Sequence, residues 1–267
     1  MCQFLSFVTK GSNKYYFNWA QRQELLKNNP DNYNPDSHSS ITGFYKLDDD
    51  KVNKYEYNPL TKNFTIDQIN IKDDHVRAEK WVGKLDFKTV IEPLNIKPII
   101  HPFKLPKNEK ITDKHIQLLK NWVSVRDSVG DSVWVSVWDS VGVSVRVSVW
   151  DSVRDSVRDS VRDSVWDSVG DSVWDSVGDS VWDSVRDSVG DSVWDSVGDS
   201  VWDYMSSFFS LDKWKYIDHP PGENPFQCCI DLWEQGLVPS FDGTTWRLHS
   251  GENADVVYEI SKVDLID

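Results

Sequence analysis

The sequence predicts an α+β N-terminal domain, then a tetrapeptide-repeat β-solenoid, then a small C-terminal cap made of a helix and a hairpin. Three observations carry that reading. Residues 1–110 alternate short apolar runs with turn residues and helical periods, the mixture expected of an α+β head. Residues 123–202 are twenty uninterrupted tetrads of the form Asp/Val-Ser-Val-X. Residues 203–267 carry one amphipathic helical pattern followed by strand-like runs. A capping helix over 111–122 joins head to repeat.

In the head, Gln3 to Thr9 reads as a buried strand, turned at Lys10-Gly11-Ser12-Asn13 into a second strand from Lys14 to Trp19. Residues 19–28 read as a short helix, and Ser37 to Phe44 as another, capped by Asp36 or Ser37. A second hairpin pairs Lys51 to Tyr57 with Phe64 to Gln68 across the Asn58-Pro59 turn. Ala78, Trp81, Val82 and Leu85 recur at helical spacing and mark an amphipathic helix near 73–85. Residues 94–107, punctuated by Pro98, Pro102 and Pro106, read as an extended linker. Thr112 or Asp113 then caps a helix with Ile116, Leu119 and Trp122 on one face, which runs straight into the first tetrad.

Within the repeat, Ser and Val never change. The first position is Asp in sixteen tetrads and Val in four (Val123, Val135, Val143, Val147), and the fourth is Trp in eight, Gly in six and Arg in six. Trp, Gly and Arg share no size, charge or backbone preference, but they are the set that NGG codons encode. The gene segment is therefore read as tandem twelve-base units in which one or two bases vary, by neutral slippage or by selection. X is expected to point outward, because no close-packed interior accepts these three residues interchangeably.

Two backbones compete for the repeat, beside a poorly ordered segment. In an α-helix a four-residue spacing advances the Val stripe about 400°, about 40° past a full turn, so the stripe drifts around the cylinder. Ser, Val, Asp and Gly are also poor helix formers. In a β-solenoid each tetrad makes one side of a coil, with Val inward and Ser and X outward. Its difficulty is Asp stacked on Asp at about 4.8 Å. The solenoid is favoured, with one long α-helix as the alternative. Five coils would stack to about 24 Å, whereas one helix of the same residues would extend about 120 Å.

Closing the repeat, Asp203-Tyr204-Met205-Ser206 is a degenerate unit. Asn224 reads as an N-cap, Pro225 as the first helical residue and Gly236 as the stop, with Phe226, Cys229, Ile230 and Trp233 on one apolar face. Ser240 to His249 and Val256 to Ile260 read as two strands.

Net charge is −14, divided as +4 over residues 1–122 (19 basic, 15 acidic), −10 over the repeat (6, 16) and −8 over the tail (4, 12). A long acidic body argues against direct nucleic-acid binding through phosphates. Cys2, Cys228 and Cys229 form neither a disulfide framework nor a metal site, and six histidines never fall at ligand spacing. Asp48-Asp49-Asp50 lacks the other ligands of a calcium loop and reads as a solvated turn. No glycine-rich phosphate loop is present, so no cofactor or metal is expected. The first residues lack the form of a signal peptide, and no apolar run is long enough for a membrane span, which makes the cytoplasm the expected compartment.

Several stretches together resemble proteins of tailed bacteriophages and gut bacterial metagenomes, in which a similar head is followed by short tandem repeats. They are Met1-Cys2 with Phe4-Leu5-Ser6, Asp36 to Ile41, Lys54 to Pro59, the Ser-Val-Trp/Gly/Arg tetrads, and Pro239 to His249. The resemblance covers most of the chain and implies a phage or mobile-element origin. No activity or catalytic residue comes with it.

The leading functional expectation is a non-enzymatic protein that displays its X residues to a protein partner, since Trp and Arg are favoured at binding hot spots. The candidate surface is Trp134, Trp138, Trp150, Arg154, Arg158, Arg162, Trp166, Trp174, Trp182, Trp194 and Trp202. One alternative is an acidic nucleic-acid mimic that inhibits a host DNA-binding enzyme. Another is an N-terminal Cys hydrolase using Cys2 with His38 and Asp36, against which Cys2 reads simply as a small residue opening a strand.

Overall fold

A computed structural model describes residues 4–28, 37–129, 149–158, 160–165, 179–214 and 217–266. The chain divides into two compact units. The first is Met1–Pro98 with Val137–Ser152 and Phe208–Ser210, and the second is Ile99–Ser136 with Val153–Ser207 and Leu211–Asp267.

The first unit is built on an antiparallel sheet in the order β2-β1-β3-β4, from β1 (Leu5–Lys10), β2 (Asn13–Tyr15), β3 (Asn53–Asn58) and β4 (Asn63–Gln68). Its two hairpins turn where the turn residues place them, with Gly11 at φ +63° in the first, but β2 ends at Tyr15 instead of running to Trp19, which opens a helix. β1 is an inner strand, and every residue from Leu5 to Thr9 is buried. Phe7 faces Tyr55 in the register, and Phe64 and Trp81 close an aromatic cluster around them. Helix α1 is Trp19–Asn28, and α2 (His38–Phe44) is capped by Ser37, whose Oγ accepts from Ser40 N at 3.2 Å. Helix α3 (His75–Val82) is shorter than the predicted 73–85: Ala78 and Val82 of the predicted face are buried and Trp81 is half-buried, but Leu85 lies beyond its end. The repeat also contributes here, because Asn58 Nδ2 donates to the buried Ser152 Oγ at 2.8 Å.

The second unit combines α4 (Asp113–Val129), α5 (Asp179–Ser206) and α6 (Gln227–Glu234) with a sheet β5-β6-β7, from β5 (Val238–Phe241), β6 (Thr245–Ser250) and β7 (Asp255–Ser261), and a terminal α7 (Lys262–Ile266). Phe226, Cys229, Ile230 and Trp233 are all buried, as predicted. The helix starts two residues later than predicted: Phe226 rather than Asn224 is the N-cap, α6 begins at Gln227, and Asn224 Oδ1 instead accepts from Phe226 N at 2.9 Å in the turn before it. Ser240 to His249 is a hairpin rather than one strand. Asp242 Oδ1 accepts from the N–H groups of Thr244 and Thr245, and Gly243 takes φ +98°. The Asp242-Gly243 pair is a hairpin signal that the sequence carries openly.

The β-solenoid is not what the repeat forms. Every described repeat residue is helical: α4 to its end, 149–153, a π-helical turn at Arg154–Arg158, 160–165, and α5. Nor is the repeat one long helix. In the second unit Trp122 Nε1 donates to Asp203 Oδ2 at 2.5 Å, and Arg126 Nε to Asp199 Oδ2 at 2.6 Å. A step of four forward on α4 matches a step of four back on α5, so the two run antiparallel. In one straight helix Arg126 and Asp199 would stand about 110 Å apart.

The physical reason lies in the serines. Ser160 Oγ donates to Val157 O, Ser196 Oγ to Val193 O and Ser200 Oγ to Val197 O, each at 2.8–3.1 Å. A hydroxyl satisfied within its own helix can be buried, and Ser196 and Ser200 are as deeply buried as Val193, Val197 and Val201. Ser was expected outside; Ser152, Ser196 and Ser200 are instead buried, whereas Ser124, Ser156 and Ser160 are exposed as expected. Helix propensity alone understated the helix, because most helical stability in a folded chain comes from packing of its buried face. The drift is real and is absorbed in two ways. The π turn takes more residues per turn than the α-helix, and Val153, Val157, Val161 and Val165 stay buried across it. At its C-terminal end α5 is buried over much of its circumference, at Ser200, Val201, Asp203, Tyr204, Met205 and Ser206.

Candidate functional site

With the Val residues and part of the Ser residues turned inward, the described X residues stand on the flanks of the helices. Trp150, Arg154, Arg158, Arg162 and Trp202 are half-buried, and Trp194 is 44 % exposed. Gly198, another X position, has open space where a side chain would start. Trp134, Trp138, Trp166 and Trp174 lie outside the described residues, and of Trp182 only the backbone, within α5, is described. The structure brings two candidates together: the Arg162 guanidinium lies over the Trp194 ring, 4.7 Å from its centre. These residues come from tetrads far apart in sequence, which spacing could not reveal.

Where α4 meets α5, a buried polar cluster forms that the sequence reading missed. Asp203 is fully buried, and burial pushes its carboxyl up to about 8, with Asp199 adding to the effect against the Trp122 and Arg126 contacts. It is therefore mostly protonated at neutral pH. Burial likewise raises Cys228 to about 11 and holds Cys229 well above the ordinary thiol range, so neither supplies a thiolate nucleophile. The one available sign was that Asp203 occupies the first position of the degenerate unit, beside the apolar Tyr204 and Met205.

A second missed pair is Ser240 and His249. His249 Nδ1 faces Ala254 O at 2.9 Å and so carries the proton, leaving Nε2 to accept from Ser240 Oγ at 2.8 Å. That is the contact geometry of a nucleophile and its base. Both residues are completely buried, and burial lowers His249 to about 4. No substrate reaches them, and the pair braces β5 against β6.

In the first unit the Asp74 carboxylate collects Thr9 Oγ1, Asn53 Nδ2, Tyr55 OH and Arg77 at 2.7–3.0 Å. Burial pushes Asp74 up, but the donors from Asn53, Arg77, Thr9 and Tyr55 outweigh it and hold the carboxyl below its usual range. Above this network lies an open cavity of about 800 Å³. His38, proposed to assist Cys2, instead engages Tyr55 O at 3.0 Å and Asp67 at 3.2 Å. Cys2 and Asp36 lie outside the described residues. Asp48 caps a 3₁₀ turn, and Asp49 pairs with Lys54.

Among the described residues no helix is long and apolar enough to cross a membrane, and no cluster of three His, Cys, Asp or Glu could hold a metal ion. No protein family, curated protein or solved structure matches this chain.

Proposed function

We propose that the protein is a non-enzymatic binding protein, phage-encoded and acting in the bacterial cytoplasm, that displays the variable X residues of a helical repeat to a protein partner. The supporting observation is the division of labour inside the tetrads at the C-terminal end of α5. There Ser196, Ser200, Val193, Val197 and Val201 are buried, while Trp194 is exposed, Trp202 is half-buried and Gly198 has open space where a side chain would start. Trp and Arg at such positions are the residues that dominate protein interfaces. The acidic-mimic reading has less support, because Asp199 is paired with Arg126 and Asp203 is buried and mostly protonated.

The test compares the wild-type chain with a Trp150→Gly, Trp194→Gly, Trp202→Gly variant in cross-linking from host-cell extract. Circular dichroism would verify that the fold is retained. The display reading expects a defined set of cross-linked proteins to be lost or exchanged. An identical set from both chains refutes it.

A further inference from the structure

We propose that the cavity beside α3 in the first unit binds a small phosphate ester carrying sugar hydroxyls, of the nucleotide type. This is independent of the display reading and concerns a different part of the chain. The volume, about 800 Å³, is in the range of small-molecule sites. Lys72 and Lys80 stand on its wall, both exposed and neither with an ion-pair partner among the described residues. Ammonium groups are compact point charges with three donors each, suited to phosphate oxygens. Between them the wall carries Val76, 68 % exposed, and the half-buried Ile71, an apolar surface for a sugar or base.

The wall also carries Asp73, which narrows the ligand. A bare anion would be repelled by it. Both oxygens of Asp73 face His75 Nδ1, at 2.8 and 3.0 Å, and Oδ1 also accepts from His75 N at 3.0 Å; of its four lone-pair sites the carboxylate still keeps room for a further donor, such as a hydroxyl of a ribose. Asp74 is occupied by its four donors and adds little free charge.

The loop that carries these groups is held rigidly, as a binding site requires. Asn53, completely buried, accepts from the N–H groups of Asn70 and Ile71, each at 3.0 Å, and donates to Lys72 O at 3.0 Å and Asp74 at 2.7 Å. Arg77 ties the opposite side by donating to Gly11 O.

The experiment is calorimetric titration of the full chain with AMP, ribose 5-phosphate and inorganic phosphate. The expected result is saturable binding of AMP, weakened roughly tenfold or more in a Lys72→Ala, Lys80→Ala variant by loss of two charge-assisted contacts. Asp73→Ala should weaken AMP while leaving inorganic phosphate no weaker. Lys84→Ala, which removes an exposed lysine outside the cavity, should change nothing. No saturation by AMP or ribose 5-phosphate up to about 10 mM, a level corresponding to negligible affinity, overturns the proposal. So does equal weakening in Lys84→Ala, or inorganic phosphate binding as tightly as AMP.

Discussion

Asn53 in the first unit and Ser200 in the repeat are both completely buried polar residues, yet they are satisfied in opposite ways. Asn53 reaches partners between residues 70 and 74, found only in that loop. Ser200 donates to the carbonyl three residues before it; Ser160 and Ser196 make the same bond, although Ser196 Oγ also accepts from Phe241 N at 2.9 Å and Ser160 Oγ also faces His101 Nε2 at 2.9 Å. One polar group is tied to a single place in the fold, and the other carries its partner with it. A tetrad that brings its own hydrogen bond and its own buried Val can replace any other tetrad. That portability makes a repeat with twelve-base variation compatible with a folded chain.

The sharpest way to break this comparison is to change the length of α5. Removing residues 195–198, one full tetrad, moves Ser192 into the place of Ser196 and Trp194 into that of Gly198, where there is open space. Cooperative unfolding should persist, followed by tryptophan fluorescence. Removing only Ser196, Val197 and Gly198 rotates the preceding segment by about 60° and puts Trp194 in the place of Val197 and Gly190 in that of Val193, overpacking one inner position and emptying another at about 1–3 kcal/mol each. The second unit should then lose its cooperative transition. Equal damage from both deletions would show that the tetrads are not interchangeable.

A smaller effect separates the two buried polar residues themselves. Asn53→Ala strands two backbone N–H groups and a carboxylate contact, and should cost about 2–4 kcal/mol in urea denaturation. Ser200→Ala loses one local bond but gains helix propensity and strands no donor, so its cost should stay within about 1 kcal/mol. Comparable losses at the two sites would contradict the contrast between unique and portable satisfaction.

Asp203 supplies a pH-dependent test at the point where repeat meets cap. Its ordinary value is 3.8 and its folded value about 8, so between these limits the folded state holds the extra proton. Stability of the second unit therefore falls as pH rises from about 4 to about 8, by up to about 1.4 kcal/mol per pH unit from this group. Asp203→Asn keeps an oxygen for Trp122 Nε1 and removes the titration. It should be more stable than wild type at pH 8 and nearly equal at pH 4.5, measured by denaturation midpoints. A variant whose stability tracks the wild type across that range would rule out a buried proton.

How much of this was written in the sequence depends on how local the determining contacts are. The head hairpins, the Ser37 cap and the apolar face of α6 follow from turn chemistry and spacing within a dozen residues, and they stand where those signals put them. The helical state of the repeat is not legible in propensity, because it rests on Ser hydroxyls that become buriable only by bonding the carbonyl three residues earlier. The antiparallel pairing of Trp122 with Asp203 was not readable at all. Twenty near-identical tetrads offer twenty near-equivalent registers, and only non-repeated residues such as Trp122 and Tyr204 can choose among them. The Asp74 network and the α3 cavity depend on strands, loop and helix meeting in space, which no spacing encodes.

The smallest effect discriminates most finely, because it asks whether X is free of structural duty. Gly198 sits inside α5 with nothing within 4 Å of where a Cβ would be. Gly198→Trp adds the largest side chain at a half-buried site, a change that would overpack an ordinary interior by about 1–3 kcal/mol. Here it should be neutral or stabilising by about 0.5 kcal/mol, since Trp is a better helix residue than Gly. Gly236 is the control outside the repeat: its φ is +74°, and a Cβ there would meet Pro102 O at 3.2 Å and the Leu105 side chain at 3.3 Å. Trp at 236 is strained by backbone and by crowding together, so its cost should exceed that at 198 by several kcal/mol. If Gly198→Trp instead lowers the denaturation midpoint as Gly236→Trp does, the flank of α5 is a packed surface, and the codon pattern at X has no structural licence.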